Sequence, residues 1–431
     1  MPDSLPVISV GFFGCGVVGS GALLALQQNA AAIERQLGAR LEVRRICVRD
    51  PQRARPVELA PGVLTTDPAA ILDDPSIQVV VELMGGVQPA GDYLLRALRG
   101  GKHVVTANKE LIAKEGPALF AVAAERGLDF FCEGSVAGGI PILRALQVSL
   151  AGNRFSELIG IVNGTTNYIL TQMAQTGKSF DQALGEAQAL GFAEADPTDD
   201  VDGFDAVYKL AILASMAFGT RVPLDRVARQ GIRNITDRDI AYARQMGYVI
   251  KLLAIARRQD DGLELRVHPA LLRVSHPLAS VNDVYNAVFA HGHAVGEVMF
   301  FGRGAGSLPT GSSVLGDLME VARGIRCGGS GRVNSAGLAD LPILPIEDAQ
   351  SHYYVRTETA DQPGVLAAVA GVFGKHEVSL ESMLQKRADE QIAEIVWITH
   401  RTREGRLQAA LREIEALPVV QRVSNCIRVE E

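Results

Sequence analysis

Cysteine is scarce in this sequence, and the few cysteines are scattered. The 431 residues contain five, with no CxxC pair and no spacing typical of metal ligands: Cys15, Cys47, Cys132, Cys327 and Cys426. This usage argues against a disulfide framework and is typical of reduced cysteines in a cytoplasmic protein. The N-terminus also lacks a basic segment followed by an apolar one, so we expect no secretory signal.

Long apolar runs and basic runs are missing as well. No stretch approaches the roughly 18 uninterrupted apolar residues of a membrane-spanning helix. The net charge is −7 and basic residues do not cluster, which argues against nucleic acid or an anionic membrane as a partner. Apolar residues make up 47% of the chain, enough for a sizeable core, and the length predicts about two to four domains.

The first third of the chain alternates predicted strands and helices, which indicates an α/β fold with a doubly wound parallel sheet. The predicted strands are 7–13, 41–48, 78–83, 103–106 and 128–132. The first strand is followed at once by GCGVVG, which opens a helix. In this setting Gly14 permits a tight turn, Gly16 lets the backbone approach a pyrophosphate, and Gly19 lets helix and strand close. The dinucleotide-binding residues predicted from this motif are Gly14, Gly16, Val17, Val18 and Gly19.

The choice between NAD and NADP is made at the end of the second strand. An acidic residue there favours NAD, whereas an arginine favours the 2′-phosphate of NADP. Arg49 comes first after the strand and Asp50 follows it, with Arg53 and Arg55 close behind. We therefore predict NADP, with Asp50 leaving NAD open. The alternative is that these residues are solvated loop charges.

An acidic segment at residues 191–209, GFAEADPTDDVDGFDAVYK, precedes a predicted helix. Asp205 and Lys209 fall four residues apart and so share one helical face. Because the helix continues as the apolar KLAILASMAF, Lys209 is expected at a core edge. The carboxylates suit a substrate with an amino group, and the lysine suits proton transfer. The alternative is a surface helix with an ordinary Asp–Lys pair.

Five segments, in order, resemble homoserine dehydrogenases. They are 78–116, 133–141 (EGSVAGGIP), 163–170 (NGTTNYIL), 191–209 and 301–318 (FGRGAGSLPTGSSVLGDL). The resemblance implies NAD(P)H-dependent, reversible reduction of L-aspartate 4-semialdehyde to L-homoserine, in threonine, methionine and isoleucine biosynthesis. It also implies a Rossmann-type domain at 1–139, with 308–330 returning to it, then an α+β catalytic and dimerisation domain at 140–307. A homodimer or homotetramer is expected.

The resemblance also assigns roles to individual residues. Lys209 matches the proton donor and Lys109, in TANK, matches a second catalytic lysine that also borders the cofactor. Asp205 is grouped with them as catalytic. The substrate-binding residues it implies are Glu194, Asp200, Thr165 and Gly164. On the cofactor side it adds Gly306 to Arg49 and the glycine motif.

The segment EGSVAGGIP matches a monovalent-cation site, typically for sodium, in similar enzymes. The implied ligands are the side chain of Glu133 and the carbonyls of Val136, Gly138 and Ile140, and oxygen ligands suit a hard cation. The alternative is that Glu133 caps or braces the crossover between domains.

Four positions depart from the family pattern. Arg303 stands where a proline is common, and Phe192 where a tyrosine is common. His291 and His293 replace a frequent Gly–Asp pair. Two histidines without a third ligand in view argue against a metal site, so we expect a turn at a sheet edge and subunit contact.

Residues 331–349 are rich in Gly, Ser and Pro and are predicted to be a linker. Residues 350–431 then follow a βαββαβ pattern with DQPGVL after the first strand, and resemble an ACT domain. Such domains bind small amino acids through loop amides, so Asp361, Gly364 and Val365 are the predicted allosteric residues and L-threonine the expected effector. The alternative is an oligomerisation module without a ligand.

Two other functions are compatible with this architecture. One is a related amino-acid dehydrogenase, which the acidic loop and TANK argue against. The other is a non-catalytic amino-acid sensor that retains the fold. Intact Lys109, Glu194 and Lys209 argue against a sensor.

Overall fold

The computed structural model describes residues 5–329, 338–387 and 392–430. Strands and helices alternate through the N-terminal third. In chain order they are β1 (Val7–Phe13), α1 (Val17–Leu37), β2 (Arg40–Cys47), β3 (Leu64–Thr65), α2 (Ala69–Leu72), β4 (Val79–Glu82), α3 (Ala90–Arg99), β5 (His103–Thr106), α4 (Lys109–Glu125), β6 (Phe130–Phe131) and α5 (Ile142–Arg144).

The middle of the chain mixes helices with longer strands. Its elements are β7 (Phe155–Ile161), α6 (Gly164–Thr176), α7 (Phe180–Ala189), α8 (Thr198–Val201), α9 (Phe204–Phe218), β8 (Ala228–Arg229), α10 (Asp237–Gln245), β9 (Tyr248–Gln259), β10 (Gly262–Arg273), β11 (Tyr285–Gly292), β12 (Gly296–Arg303) and α11 (Ser307–Cys327).

The C-terminal part has the predicted βαββαβ order with one added two-residue strand. Its elements are β13 (Gln350–Ala360), α12 (Val365–Lys375), β14 (Leu380–Arg387), β15 (Ile392–Thr399), β16 (Thr402–Arg403), α13 (Glu404–Glu415) and β17 (Val420–Glu430). Residues 331–337 of the predicted linker, and residues 388–391 and 431 of the predicted ACT domain, lie outside the described residues. The chain divides into two compact units, described in turn below.

The first unit (1–156, 208–224 and 286–341) contains the predicted doubly wound sheet. Its strands are all parallel and lie in the order β3-β2-β1-β4-β5-β6. The order reverses between β1 and β4, which is where open α/β sheets bind ligands. Helix α11 packs on α1 so closely that a Cβ on Gly311 would lie 2.5 Å from the nitrogen of Ala22.

The second unit (157–207, 225–285 and 342–431) contains strands in the order β7-β9-β10-β17-β13-β15-β14. Strands β9 and β10 form a hairpin paired over twelve residues. In the C-terminal part, Tyr353 and Trp397 are buried against Phe373 of α12 and Leu407 of α13. The apolar faces of two helices thus cover one face of an antiparallel sheet, as expected for an ACT domain.

The C-terminal part is bonded through its backbone to β10 of the second unit. Strand β17 pairs in parallel with β10, with Ala270 opposite Arg428 and Leu272 opposite Glu430. The preceding chain is also bonded to β10, because Leu263 donates to the carbonyl of Pro342 and accepts from the amide of Leu344, both at 2.8 Å. Backbone pairing of this kind makes residues 342–430 part of the second unit.

A buried charge network joins the C-terminal strands to α10 within this unit. Arg356, on β13, is 3% exposed and donates to Asp239 at 2.7 Å and to Glu394 at 2.6 Å. Tyr242 donates to Glu394 at 2.6 Å, and Asn425 donates to Asp239 at 2.8 Å. Burial alone would raise the pKa of Glu394, but the hydrogen bonds from Tyr242 and Arg356 lower it overall. The network therefore places two carboxylates around one guanidinium.

Candidate active site

The glycine motif of the first unit has the shape of a phosphate cradle. Gly14 has φ +94°, and a Cβ there would lie 2.7 Å from the carbonyl oxygen of Leu83. A Cβ on Gly19 would lie 2.8 Å from the carbonyl oxygen of Gly14, whereas one on Gly16 would meet nothing within 4 Å. Gly14 and Gly19 thus permit close packing, and Gly16 leaves open space before the first amides of α1. A dinucleotide pyrophosphate fits this arrangement.

Gly306 lies beside this cradle. It has φ +124° and precedes α11, and the hydroxyl of the next residue, Ser307, donates to the carbonyl of Val17 at 2.8 Å. The N-termini of α1 and α11 are therefore neighbours in the first unit. Both helix ends present backbone amides, which favours a negatively charged ligand.

The end of β2 reaches the same place, because the amide of Gly14 donates to the carbonyl of Cys47 at 2.9 Å. Arg49 and Asp50 are both exposed there. Asp50 accepts from the amide of Gln52 at 2.9 Å, which closes a tight turn. Arg55 folds back onto the loop and donates to the carbonyl of Asp50 at 2.7 Å. Since Arg55 serves the loop itself, Arg49 is the better candidate for a 2′-phosphate.

Lys109 is the first residue of α4, at the carboxyl end of β5, and is partly exposed. A buried network holds this helix start. The hydroxyl of Thr106 donates to Glu82 at 2.7 Å and accepts from the amide of Asn108 at 3.0 Å, and the Asn108 side chain caps α4. Burial raises the pKa of Glu82, and the Thr106 hydrogen bond offsets part of that shift. Glu82 was missed from the sequence, although an acid ending the apolar run VVVE was a usable signal.

Helix α9 carries Asp205 in its first turn and Lys209 one turn later. Their exposed fractions are only 2% and 8%, so the expected burial of Lys209 is observed. One turn of helix separates the two side chains and leaves them on the same face. A buried lysine one turn after a carboxylate is a candidate for proton transfer to a bound substrate.

The acidic loop lies in the second unit, in front of α9. Asp200 belongs to the short helix α8, and Glu194 is exposed. The side-chain amide of Asn163 donates to Asp200 at 2.7 Å and to Asp205 at 2.9 Å. The structure thus brings two of the predicted site carboxylates to one amide. Sequence analysis did not single out Asn163.

Gly164 and Thr165 open helix α6, next to Asn163. A Cβ on Gly164 would lie 2.9 Å from the carbonyl oxygen of Val284, so this position needs glycine. The hydroxyl of Thr165 donates to the carbonyl of Phe192 at 2.7 Å. Its proton is therefore used to hold the turn before Glu194. A substrate carboxylate would be left with the helix amides rather than this hydroxyl.

The carboxylate of Glu133 is hydrogen-bonded to backbone amides within the first unit. Its two carboxylate oxygens accept from the amides of Leu143 at 2.7 Å and Arg144 at 2.8 Å. The guanidinium of Arg144 in turn donates to Asp317 at 2.9 Å. Burial, with the nearby Glu133 carboxylate, raises the pKa of Asp317 to about 7. Among the expected carbonyl ligands, that of Gly138 accepts from Ser313 at 2.6 Å.

His291 lies at the end of β11 and His293 in the turn that follows it. His291 lies 2.8 Å from the hydroxyl of Ser156, and His293 accepts from the amide of Arg154 at 3.0 Å. Across residues 5–329, 338–387 and 392–430, no group of three or more His, Cys, Asp or Glu is arranged to hold a metal ion. Arg303 is another position that departs from the family pattern. Its carbonyl accepts from the amide of Gly139 at 3.0 Å.

The predicted allosteric residues lie at the start of α12. Gly364 has φ +91° and is the residue before the helix, while Val365 is buried and Asp361 is exposed. A Cβ on Gly364 would meet nothing within 4 Å. The positive φ, rather than crowding, is what favours glycine at this position.

The parallel sheet, the glycine cradle and the buried lysine define the chain as a nicotinamide-nucleotide-dependent oxidoreductase with an appended ACT domain. Family profiles agree: homoserine dehydrogenase matches residues 141–319, the homoserine dehydrogenase NAD-binding domain matches 14–133, and the ACT domain matches 353–419. The chain belongs to the homoserine dehydrogenase family. Among the helices of the described residues, none is long and apolar enough to cross a membrane.

Relatives match over the whole length. A homoserine dehydrogenase of Synechocystis is 46% identical, covering 98% of this chain and 99% of its own. One of Bacillus subtilis is 42% identical, covering 99% of both. The crystal structure of a homoserine dehydrogenase from Thiobacillus denitrificans superposes with TM-score 0.94 at 44% identity, covering 99% of this chain and 98% of that one. A hyperthermophilic archaeal homoserine dehydrogenase in complex with NADPH reaches TM-score 0.63 at 28% identity, covering 73% of this chain and 97% of its own.

Proposed function

We propose that this homoserine dehydrogenase uses NADP to interconvert L-aspartate 4-semialdehyde and L-homoserine, with Lys209 as the proton donor. The observation that carries the assignment is helix α9, where Asp205 and Lys209 are buried one turn apart behind an acidic loop. The reaction needs an acid near the developing alkoxide and a group that holds the substrate ammonium. Helix α9 offers the first and the acidic loop the second.

Each residue then has a separate task. The bound nicotinamide supplies or accepts the hydride. Lys209 gives a proton to the carbonyl oxygen as it becomes an alcohol, and Lys109 stabilises the charge on that oxygen. Glu194 and Asp200 hold the substrate ammonium, and Asp205 orients the reacting groups from the first turn of α9. Gly164 and the amides of α6 face the substrate carboxylate.

One assay separates this function from its two alternatives. NADPH oxidation is followed with aspartate semialdehyde, with aldehydes of other amino acids, and with no aldehyde. Oxidation that requires aspartate semialdehyde supports the proposal. A better rate with another aldehyde would indicate a related dehydrogenase. No oxidation with any of them would indicate a sensor.

The preference for NADP rests on Arg49. We expect Arg49→Ala to weaken NADP binding by about 10- to 100-fold, the range for hydrogen bonds to a charged group, and to leave NAD binding within about threefold. Arg53→Ala is the matched control, since Arg53 is also exposed and lies in the same loop. The measurement is the Kd of each cofactor by fluorescence titration. Equal losses for both cofactors would assign Arg49 to the fold or to the shared pyrophosphate.

Sodium remains a proposal for the 133–140 bend. It is supported by the resemblance and by an all-oxygen donor set, in which Glu133, Val136, Gly138 and Ile140 would supply the ligands. Each Glu133 oxygen already accepts one amide, so an ion would have to use the remaining lone pairs. A homodimer or homotetramer is likewise proposed from the resemblance, and a cytoplasmic location from the unpaired cysteines.

Regulation by L-threonine through the ACT domain is the finer part of the proposal. It is supported by a continuous segment of the second unit, residues 229–239, that contacts both relevant regions. At one end Asp239 bonds to Arg356 and Asn425 of the ACT strands. At the other end Arg233 donates to Asp202 of the acidic loop at 2.6 Å. A change at the ACT strands could therefore reach the substrate loop through one short segment.

We expect Gly364→Val to abolish threonine inhibition, because a β-branched residue is strained at φ +91° and would distort the loop before α12. Coupling between two sites is typically worth a 5- to 150-fold change in affinity, so the loss should be of about that size. Gly371→Ala is the matched control, since Gly371 lies within α12 and has open space around it. Each rate is measured relative to the same variant without threonine. Equal inhibition of both variants, or no inhibition of the wild type at millimolar threonine, would contradict the proposal.

A further inference from the structure

Asn163 performs two tasks with one side chain. Its oxygen accepts from the amide of Thr166 at 2.8 Å and from the Thr166 hydroxyl at 2.8 Å, which caps helix α6. Its amide nitrogen donates to Asp200 at 2.7 Å and to Asp205 at 2.9 Å. Asn163 is only 4% exposed. The side chain thus connects a helix start to two acidic residues.

The orientation of this amide is determined by its partners. The amide N–H of Thr166 can only donate, so it must face the oxygen of Asn163. The two hydrogens of the NH₂ group then point to the two carboxylates, which can only accept when ionised. Both donors and both lone-pair positions of Asn163 are in use. Rotating the amide by half a turn would break these bonds together.

The two carboxylates belong to different elements. Asp200 lies on α8 and Asp205 in the first turn of α9. The other side of the same loop is attached to residues 229–233, where Arg233 donates to Asp202 and the amide of Ile232 donates to the carbonyl of Val201 at 2.8 Å. Asn163 holds this loop through its bonds to Asp200 and Asp205. Its position therefore sets how closely Asp200 approaches the start of α9.

We propose that Asn163 is a positioning residue for the dehydrogenase reaction. Its side-chain amide sets the spacing of Asp200 and Asp205 by donating one hydrogen bond to each. The inference rests on the proposed roles of Asp200 in binding the ammonium and of Asp205 on the catalytic helix. Asn163 does not touch the reacting atoms. It donates one hydrogen bond to each of the two carboxylates, at 2.7 Å and 2.9 Å, and so fixes them relative to one amide group.

The test uses two variants that keep the helix cap. Asp and Ser both cap helix N-termini well, so Asn163→Asp and Asn163→Ser preserve the start of α6. Asp has no amide donors and adds a third negative charge, and Ser can replace at most one donor. We expect the KM for homoserine to rise and kcat/KM to fall by about 10- to 100-fold, the range for lost hydrogen bonds to charged groups. The KM for NADP should stay within about twofold.

Two controls separate positioning from folding. Ser179→Ala removes the N-cap of α7 from an exposed site, and should lower the melting temperature without changing either KM. Glu194→Gln reports on the proposed substrate site itself. If Glu194→Gln raises the homoserine KM and both Asn163 variants leave it unchanged, this inference is overturned and the proposed function stands.

The remaining outcomes are also decisive. If the KM for homoserine is unchanged in Glu194→Gln and in both Asn163 variants, the result contradicts both the proposed substrate site and the proposed role of Asn163. Parallel increases in the KM for homoserine and for NADP would show a general structural role and overturn the inference. Should Asn163→Asp fail to fold because of its added charge, Asn163→Ser, which adds none, decides alone.

Discussion

Lys209→Ala should lower kcat by about 10²- to 10⁴-fold, the contribution of a positioned general acid. The reason is that Lys209 is buried on α9 one turn after Asp205, where neither bulk water nor a surface residue can easily replace its proton. NADP binding should be unchanged, because the glycine cradle supplies that affinity. Stopped-flow and steady-state rates, with cofactor titrations on the same preparation, measure both effects.

Two companion variants sharpen this result. Lys209→Met keeps the apolar stem and removes the proton, so it should lose as much turnover as Lys209→Ala while packing better. Lys114→Ala removes a lysine that lies over the ring of Tyr208, the residue before Lys209. This variant should keep near-normal rates. Turnover within threefold of the wild type in Lys209→Met would exclude Lys209 as the acid.

Arg356→Met should lower the free energy of unfolding of the second unit by about 3–5 kcal/mol, the usual cost of removing one partner from a buried ionic network. Asp239 and Glu394 would remain buried, and Glu394 would keep as its cationic partner only Arg238, which lies 3.2 Å away and is 54% exposed. Arg422→Met is the matched control, because Arg422 makes an equally short bond to Glu358 at 2.6 Å but its side chain is 63% exposed. An exposed pair contributes about 0–1 kcal/mol. Urea denaturation of the two variants compares them, and equal losses would contradict the buried-network account.

The pairing of β17 with β10 determines how regulation should be tested. Removing residues 346–431 would take β17 away from β10 and would leave Arg266 without Glu430, to which it donates at 2.6 Å. Both side chains are almost fully buried. Truncation would therefore destabilise the second unit and obscure any loss of threonine response. Point variants such as Gly364→Val avoid this problem.

Local sequence patterns predicted most strands of the parallel sheet and the order of the main elements in the C-terminal part. GCGVVG after an apolar strand predicted the cradle, since glycine requirements and strand-to-helix order are both local properties. The apolar run after Lys209 predicted that its helix is buried. The βαββαβ order of the C-terminal part was also correct. Strand β3 was missed because two residues are too few to show a period.

The tertiary structure alone decided which residues meet. Asn163 reaches Asp205 across 42 positions, and Arg356 reaches Asp239 across 117. Strand β17 joins β10 although nothing in either segment specifies a parallel neighbour. The sequence by itself determined the fold class, the cofactor cradle and the candidate lysines, because these depend on residues close together in the chain. The hydrogen bonds from Asn163 to two aspartates, the bond from Arg144 to Asp317 and the pairing of β17 with β10 depend on packing between distant segments, which hydrophobic periodicity does not record.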